Sequence, residues 1–134
     1  MRELDNLRAA LAWARAQGQT ELAIALAGLS CRLWNRCGLA GAASELFGAI
    51  AGSVDTAAVP AEVEAAFWLG SVVVAPESPL PGLGHAADRA IELWRGLGDS
   101  PRLAYALGWR AIVNAQRDRL DAARIDLIEA QLLE

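Results

Sequence analysis

The chain is 134 residues long, enough for one domain with a continuous core and too short for a catalytic domain plus a second one. Hydrophobic residues make up 54% of it, but the excess is largely alanine, and no run approaches the roughly 18 uninterrupted apolar residues of a membrane span. The net charge is −4 and the basic side chains, all arginine, are scattered from Arg2 to Arg124, which argues against nucleic-acid binding by a basic stripe.

The predicted elements are all helices, as expected of an alanine-rich chain with two Phe and one Tyr. The first runs from about Glu3 to Gln17, with Leu4, Leu7, Leu11 and Ala14 on one stripe and Gly18 as its stop. The second covers about Thr20 to Cys37 and puts Leu22, Leu26, Leu29 and Leu33 on one face; Thr20 is its expected cap and Gly38 ends it. The third spans about Ala40 to Gly52. A linker, SVDTAAVP, leads to a fourth that starts at Pro60 and ends before Pro76. The fifth extends from about Gly84 to Leu97 and is closed by Gly98. Asp99, Ser100 and Pro101 form the clearest boundary, a capping side chain followed by a proline in the first turn. The sixth runs from Pro101 to about Gln116 and the seventh from Leu120 to the end. Short turns make neighbours antiparallel, except where APESPLPGLG separates the fourth helix from the fifth.

These helices repeat. Ala90, Trp94 and Leu97 return as Ala123, Leu127 and Ala130 about 33 residues later, the interval of a stacked helical hairpin. On the same frame Cys31, Trp34, Gly38, Ala43, Phe47 and Ile50 reproduce the small, aromatic, glycine, alanine, aromatic, apolar spacing of the tetratricopeptide repeat. Ala111, Asn114, Asp118, Ala123, Leu127 and Ala130 fit more loosely, since Asn114 and Asp118 replace the aromatic and the glycine. The apolar and small members of these sets are expected in the core. The expected fold is all-α, about seven helices in antiparallel hairpins stacked as a short right-handed solenoid. Residues 1–18 form a leading helix, 19–53 the first hairpin, 60–98 the second with an insertion at 76–84, and 99–134 the third.

The first helix carries a further likeness. Leu4-Asp5-Asn6-Leu7-Arg8-Ala9-Ala10-Leu11-Ala12-Trp13 resembles the DNLRAALxW helix that opens the tetratricopeptide-like C-terminal region of bacterial STAND-type ATPase and winged-helix transcriptional regulators. Leu33-Trp34-Asn35-Arg36-Cys37-Gly38 is similar to that family's LWxxxG turn, and Arg95-Gly96-Leu97-Gly98-Asp99 to its RxLGD turn. The resemblance implies a regulatory arm that senses or contacts a partner. The family's GxxxxGK[ST] motif and basic recognition helix are not in this sequence, so its ATPase and DNA-binding activities do not carry over.

Little reads as chemistry. His85 is the only histidine, so a two-histidine metal site or a histidine-bearing triad is not expected, and no metal or cofactor is assigned. Cys31 and Cys37 point to different faces of one helix, which suits neither a disulfide nor a shared metal and reads as a reducing, cytoplasmic setting. Glu62 and Glu64 read as solvated acids at a helix N-terminus, and Gly82-Leu83-Gly84 as a loop. Trp34 and Trp94 fall on core positions, while Trp13, Trp68 and Trp109 are less determined.

The candidate partner-binding set is Arg32, Asn35 and Arg36 in the second helix with Phe67, Ser71 and Val74 at equivalent places in the fourth. The first helix of each hairpin lines the concave face of such an array. Arg32 and Arg36, one turn apart, suit a carboxylate of a partner, or an ion pair with Glu45. The expected function is a non-enzymatic interaction or sensor module that binds a protein, a peptide or a neighbouring domain of a longer chain. The alternative is a structural spacer or a homodimerisation surface.

Overall fold

A computed structural model of the protein describes residues 2–54, 59–74 and 85–133. They form seven helices: α1 (Arg2–Ala16), α2 (Thr20–Arg36), α3 (Ala40–Ala51), α4 (Ala61–Val74), α5 (Ala86–Leu97), α6 (Ser100–Gln116) and α7 (Leu120–Leu132). There is no strand among the described residues. Each boundary falls within a residue or two of its expected place. The whole Pro/Gly-rich insertion and the middle of the linker lie outside the described residues, Gly82-Leu83-Gly84 among them.

Four of the turns share one construction. After α1, α2, α5 and α6 a residue in the left-handed region ends the helix: Gly18 (φ 69°), Gly38 (φ 72°), Gly98 (φ 69°) and Asp118 (φ 59°). The next amide then donates back to a carbonyl in the last helical turn, as Leu39 does to Trp34 (3.1 Å) and Arg119 to Asn114 (2.8 Å). Asp118 therefore does the work of the expected glycine and carries the Cβ penalty of that conformation. Asp99 caps α6 by accepting from the Arg102 amide at 3.1 Å, with Pro101 in the first turn. Thr20 is not a cap: the N-cap of α2 is Gln19, which makes no side-chain capping bond.

The buried face of α2 differs from the expected leucine stripe. Ala23, Ile24, Ala27, Gly28, Ser30, Cys31 and Trp34 face inward, while Leu22 is exposed and Leu29 is 80% exposed. Close approach decides this. A Cβ on Gly28 would stand 2.9 Å from the Phe67 amide nitrogen of α4, so only a small-residue face admits that backbone. Phe67 then stacks on Phe47 of α3 with centroids 5.1 Å apart, and Gly70 fits against Cys31 and the Phe47 ring. Trp34 packs with its indole N–H donating to Ser30 Oγ (3.0 Å), whose own hydroxyl donates to the Ala27 carbonyl (3.0 Å).

Of the expected core residues, Cys31, Trp34, Ala43, Phe47, Ile50, Ala90, Trp94, Ala111 and Ala123 are buried. Ala130 is half-buried; Gly38 is exposed because it forms the turn after α2, and Leu97 and Leu127 are exposed because no described helix covers their side. The core runs through α4, which packs against α2 on one side and α5 on the other. The α6–α7 hairpin joins chiefly through α5 and touches α4 only slightly.

Candidate functional site

The slight contact between α4 and α6 leaves a cavity. It has a volume of about 420 Å³ and is bounded by Ala25, Gly28, Leu29, Cys31 and Arg32 of α2 and by Glu62, Val63, Ala66 and Leu69 of α4. Trp94 of α5 and Arg102 and Tyr105 of α6 complete it. That size lies within the usual range for small-molecule and side-chain sites, about 300–1,000 Å³. Its walls are small and aliphatic, and its charged groups are two guanidinium groups and one carboxylate.

Each arginine lies on an aromatic face. The Arg32 guanidinium reaches from α2 to the Tyr105 ring of α6, 4.7 Å from its centroid, and so crosses the cavity between helices that do not otherwise pack. Arg102 lies over the Trp94 ring at 5.1 Å and pairs with Asp99 at 3.3 Å. Below it the Trp94 indole N–H is buried without an acceptor, a group that normally finds a partner. Burial pushes the Cys31 thiol up from its ordinary value, against the smaller opposing pull of Arg32, so this sulfur stays protonated near neutral pH.

The predicted binding residues divide. Arg32 lines the cavity. Asn35 and Arg36 are exposed further along α2 and do not line it. Neither arginine forms an ion pair among the described residues, with Glu45 or any other acid. Phe67, Ser71 and Val74 are buried and form no groove: Phe67 and Val74 lie in the core, and the Ser71 hydroxyl donates to the Trp68 carbonyl at 2.6 Å. The reason is the position of α4, enclosed by α2 and α5, which leaves that face no solvent to meet.

Three lining residues escaped the sequence reading. Arg102 and Tyr105 occupy the opening turns of α6, the first helix of its hairpin. Glu62 lines the cavity, whereas Glu64 is structural: it accepts from the Trp68 indole (2.9 Å) and from Arg89 of α5 (2.8 Å). His85 is exposed at the N-cap of α5, and Trp13 is exposed on α1.

A buried polar cluster was also missed. Asp126 of α7, 3% exposed, takes two bonds from Arg110 (2.7 and 3.0 Å) and one from Asn114 (3.1 Å), and Arg110 extends to Asp88 of α5 at 3.0 Å. Its signal was Asn114, a polar residue where the repeat calls for an aromatic.

Compared with known proteins, the chain matches no family model, no curated protein and no solved structure.

Proposed function

We propose that this chain is a non-enzymatic interaction or sensor module that receives an acidic group of its partner in the cavity between α2, α4 and α6. The observation that carries the reading is Arg32, a guanidinium with no carboxylate partner among the described residues, held on Tyr105 across a largely apolar cavity. Such a group offers two parallel N–H donors to a carboxylate, and the aliphatic walls take whatever the carboxylate is attached to. The ordered hairpins and the motifs of α1 support a tetratricopeptide-like solenoid within a cytoplasmic bacterial regulator. The partner is then a protein, a peptide, a neighbouring domain or a small effector.

The test is a thermal-shift and titration screen with acidic peptides and small carboxylic acids, run on the native chain and on Arg32→Ala, with light scattering alongside. A ligand should raise the melting temperature of the native chain, and Arg32→Ala should lose that shift while folding normally. Equal binding by both proteins rejects the cavity. The rival reading, a spacer or homodimerisation module, draws on Leu120, Ile125, Ile128 and Leu132, all exposed on α7. A concentration-dependent dimer that no ligand stabilises favours it.

A further inference from the structure

The charges that line the cavity between α2, α4 and α6 are of both signs, and they are not matched alike. Arg102 has Asp99 at 3.3 Å, and Glu64, two residues along α4 from Glu62, has Arg89 at 2.8 Å. Arg32 and Glu62 form no ion pair among the described residues, and no N–O contact within 4.0 Å joins them to each other, although both line this one cavity. One positive charge from α2 and one negative charge from α4 therefore stand apart on the wall of the same space.

The wall that these two helices add is otherwise small and aliphatic, with Ala25, Gly28, Val63, Ala66 and Leu69. At its edge Leu29 also lines the cavity, a large apolar side chain left 80% exposed.

We propose that the ligand of this cavity is a zwitterion with an aliphatic chain, a free amino acid rather than a simple acid. Its carboxylate lies on the Arg32 guanidinium, its ammonium on the Glu62 carboxylate, and its chain on the small-residue wall and Leu29. This rests on the reading of the cavity as a site for an acidic group and adds the second charge. A ligand that offers both charges gains two charge-assisted contacts for one loss of translational freedom. A plain carboxylate brings only one and meets Glu62 as a like charge in the same space. The cavity volume of about 420 Å³ suits one small molecule of this kind.

The probes are two matched pairs, titrated against the full chain by isothermal calorimetry. Leucine and ε-aminocaproate carry their charges close together and far apart; isocaproate and caproate keep the same chains and carboxylates without the amine. At least one zwitterion is expected to bind about tenfold more tightly than its matched acid, the worth of one charge-assisted hydrogen bond. Glu62→Gln should remove that advantage without weakening the acid, and Arg32→Ala should lose both ligands. Circular dichroism and melting temperature verify that the variants fold. A matched acid that binds as tightly as its zwitterion, or a preference that Glu62→Gln retains, overturns the zwitterion and leaves the acidic-group reading standing. Binding that Arg32→Ala leaves intact overturns both. Binding of none of the four also overturns the proposal, and the acidic-peptide screen then decides the broader reading by itself.

Discussion

Removing the Asp126 carboxylate should destabilise the fold more than any other single polar change. The group is 3% exposed and holds three hydrogen bonds, two of them a bidentate pair with Arg110 that joins α6 to α7. Asp126→Ala strands a guanidinium whose side chain is 27% exposed and leaves the Asn114 amide without its acceptor. Breaking one side of a buried pair costs about 3–5 kcal/mol. Arg110 keeps Asp88 and some water, so the lower end applies, about 3 kcal/mol, or about 10 °C in melting temperature for a chain of this size. Arg110 itself stays charged at any working pH, because its hydrogen bond to Asp126 outweighs desolvation and pushes its pKa above the ordinary value. Urea unfolding followed by tryptophan fluorescence measures the loss. The double replacement Arg110→Met with Asp126→Leu removes both charges and should recover most of it. A cost below about 1 kcal/mol for Asp126→Ala, or a double variant as weak as the single one, refutes the assignment.

Two glycines inside helices, Gly28 of α2 and Gly108 of α6, should respond with opposite sign. Gly28→Ala forces a Cβ against the α4 backbone and should cost about 1–3 kcal/mol, whereas Gly108→Ala should gain about 0.5–1 kcal/mol from helix propensity, both read by urea unfolding. Asp118→Gly should stabilise by up to about 1 kcal/mol by relieving its positive φ, measured as a higher denaturation midpoint. Cys31, buried and held protonated, should resist alkylation by iodoacetamide at pH 7 in native protein and react on unfolding, as mass spectrometry of the modified peptide would record. Rapid native modification of Cys31 contradicts its placement under α4.

Helix existence and boundaries were legible because their determinants are local. Gly18, Gly38, Gly98 and the Asp99–Pro101 cap act within one turn of themselves, so no tertiary knowledge is needed to place them. Facing was less legible. The leucines of α2 form a regular stripe, yet α4 approaches on the Ala/Gly side, where helix backbones come closest; Gly28 inside the helix was the clue that periodicity of large residues overrode. For α4 the same error took another form. Phe67, Ser71 and Val74 were assigned by repeat position to a concave surface, although an apolar residue at nearly every turn of that helix marks one enclosed on all sides. The Arg110–Asp126 pair is legible only jointly, since neither residue alone distinguishes a buried partner from a solvated charge.

The cavity follows from one departure from regular stacking. If α6 packed on α4 as α4 packs on α2, the cavity between them would close and Arg32 would have no gap to cross. The α6–α7 hairpin instead hangs mainly on α5, and its own polar cluster through Arg110, Asp126 and Asp88 fixes it there. Asn114 stands where Trp34 stands in the first hairpin, so a directional charge network replaces an aromatic contact at this joint. The bidentate Arg110–Asp126 pair is directional and fixes α7 against α6. The cluster ties α6 to α7 and, through Asp88, to α5, while α6 meets α4 only slightly. Loss of Asp126 should therefore weaken ligand binding at Arg32 even in variants stable enough to remain folded, a coupling that a change in α6–α7 stability alone would not produce.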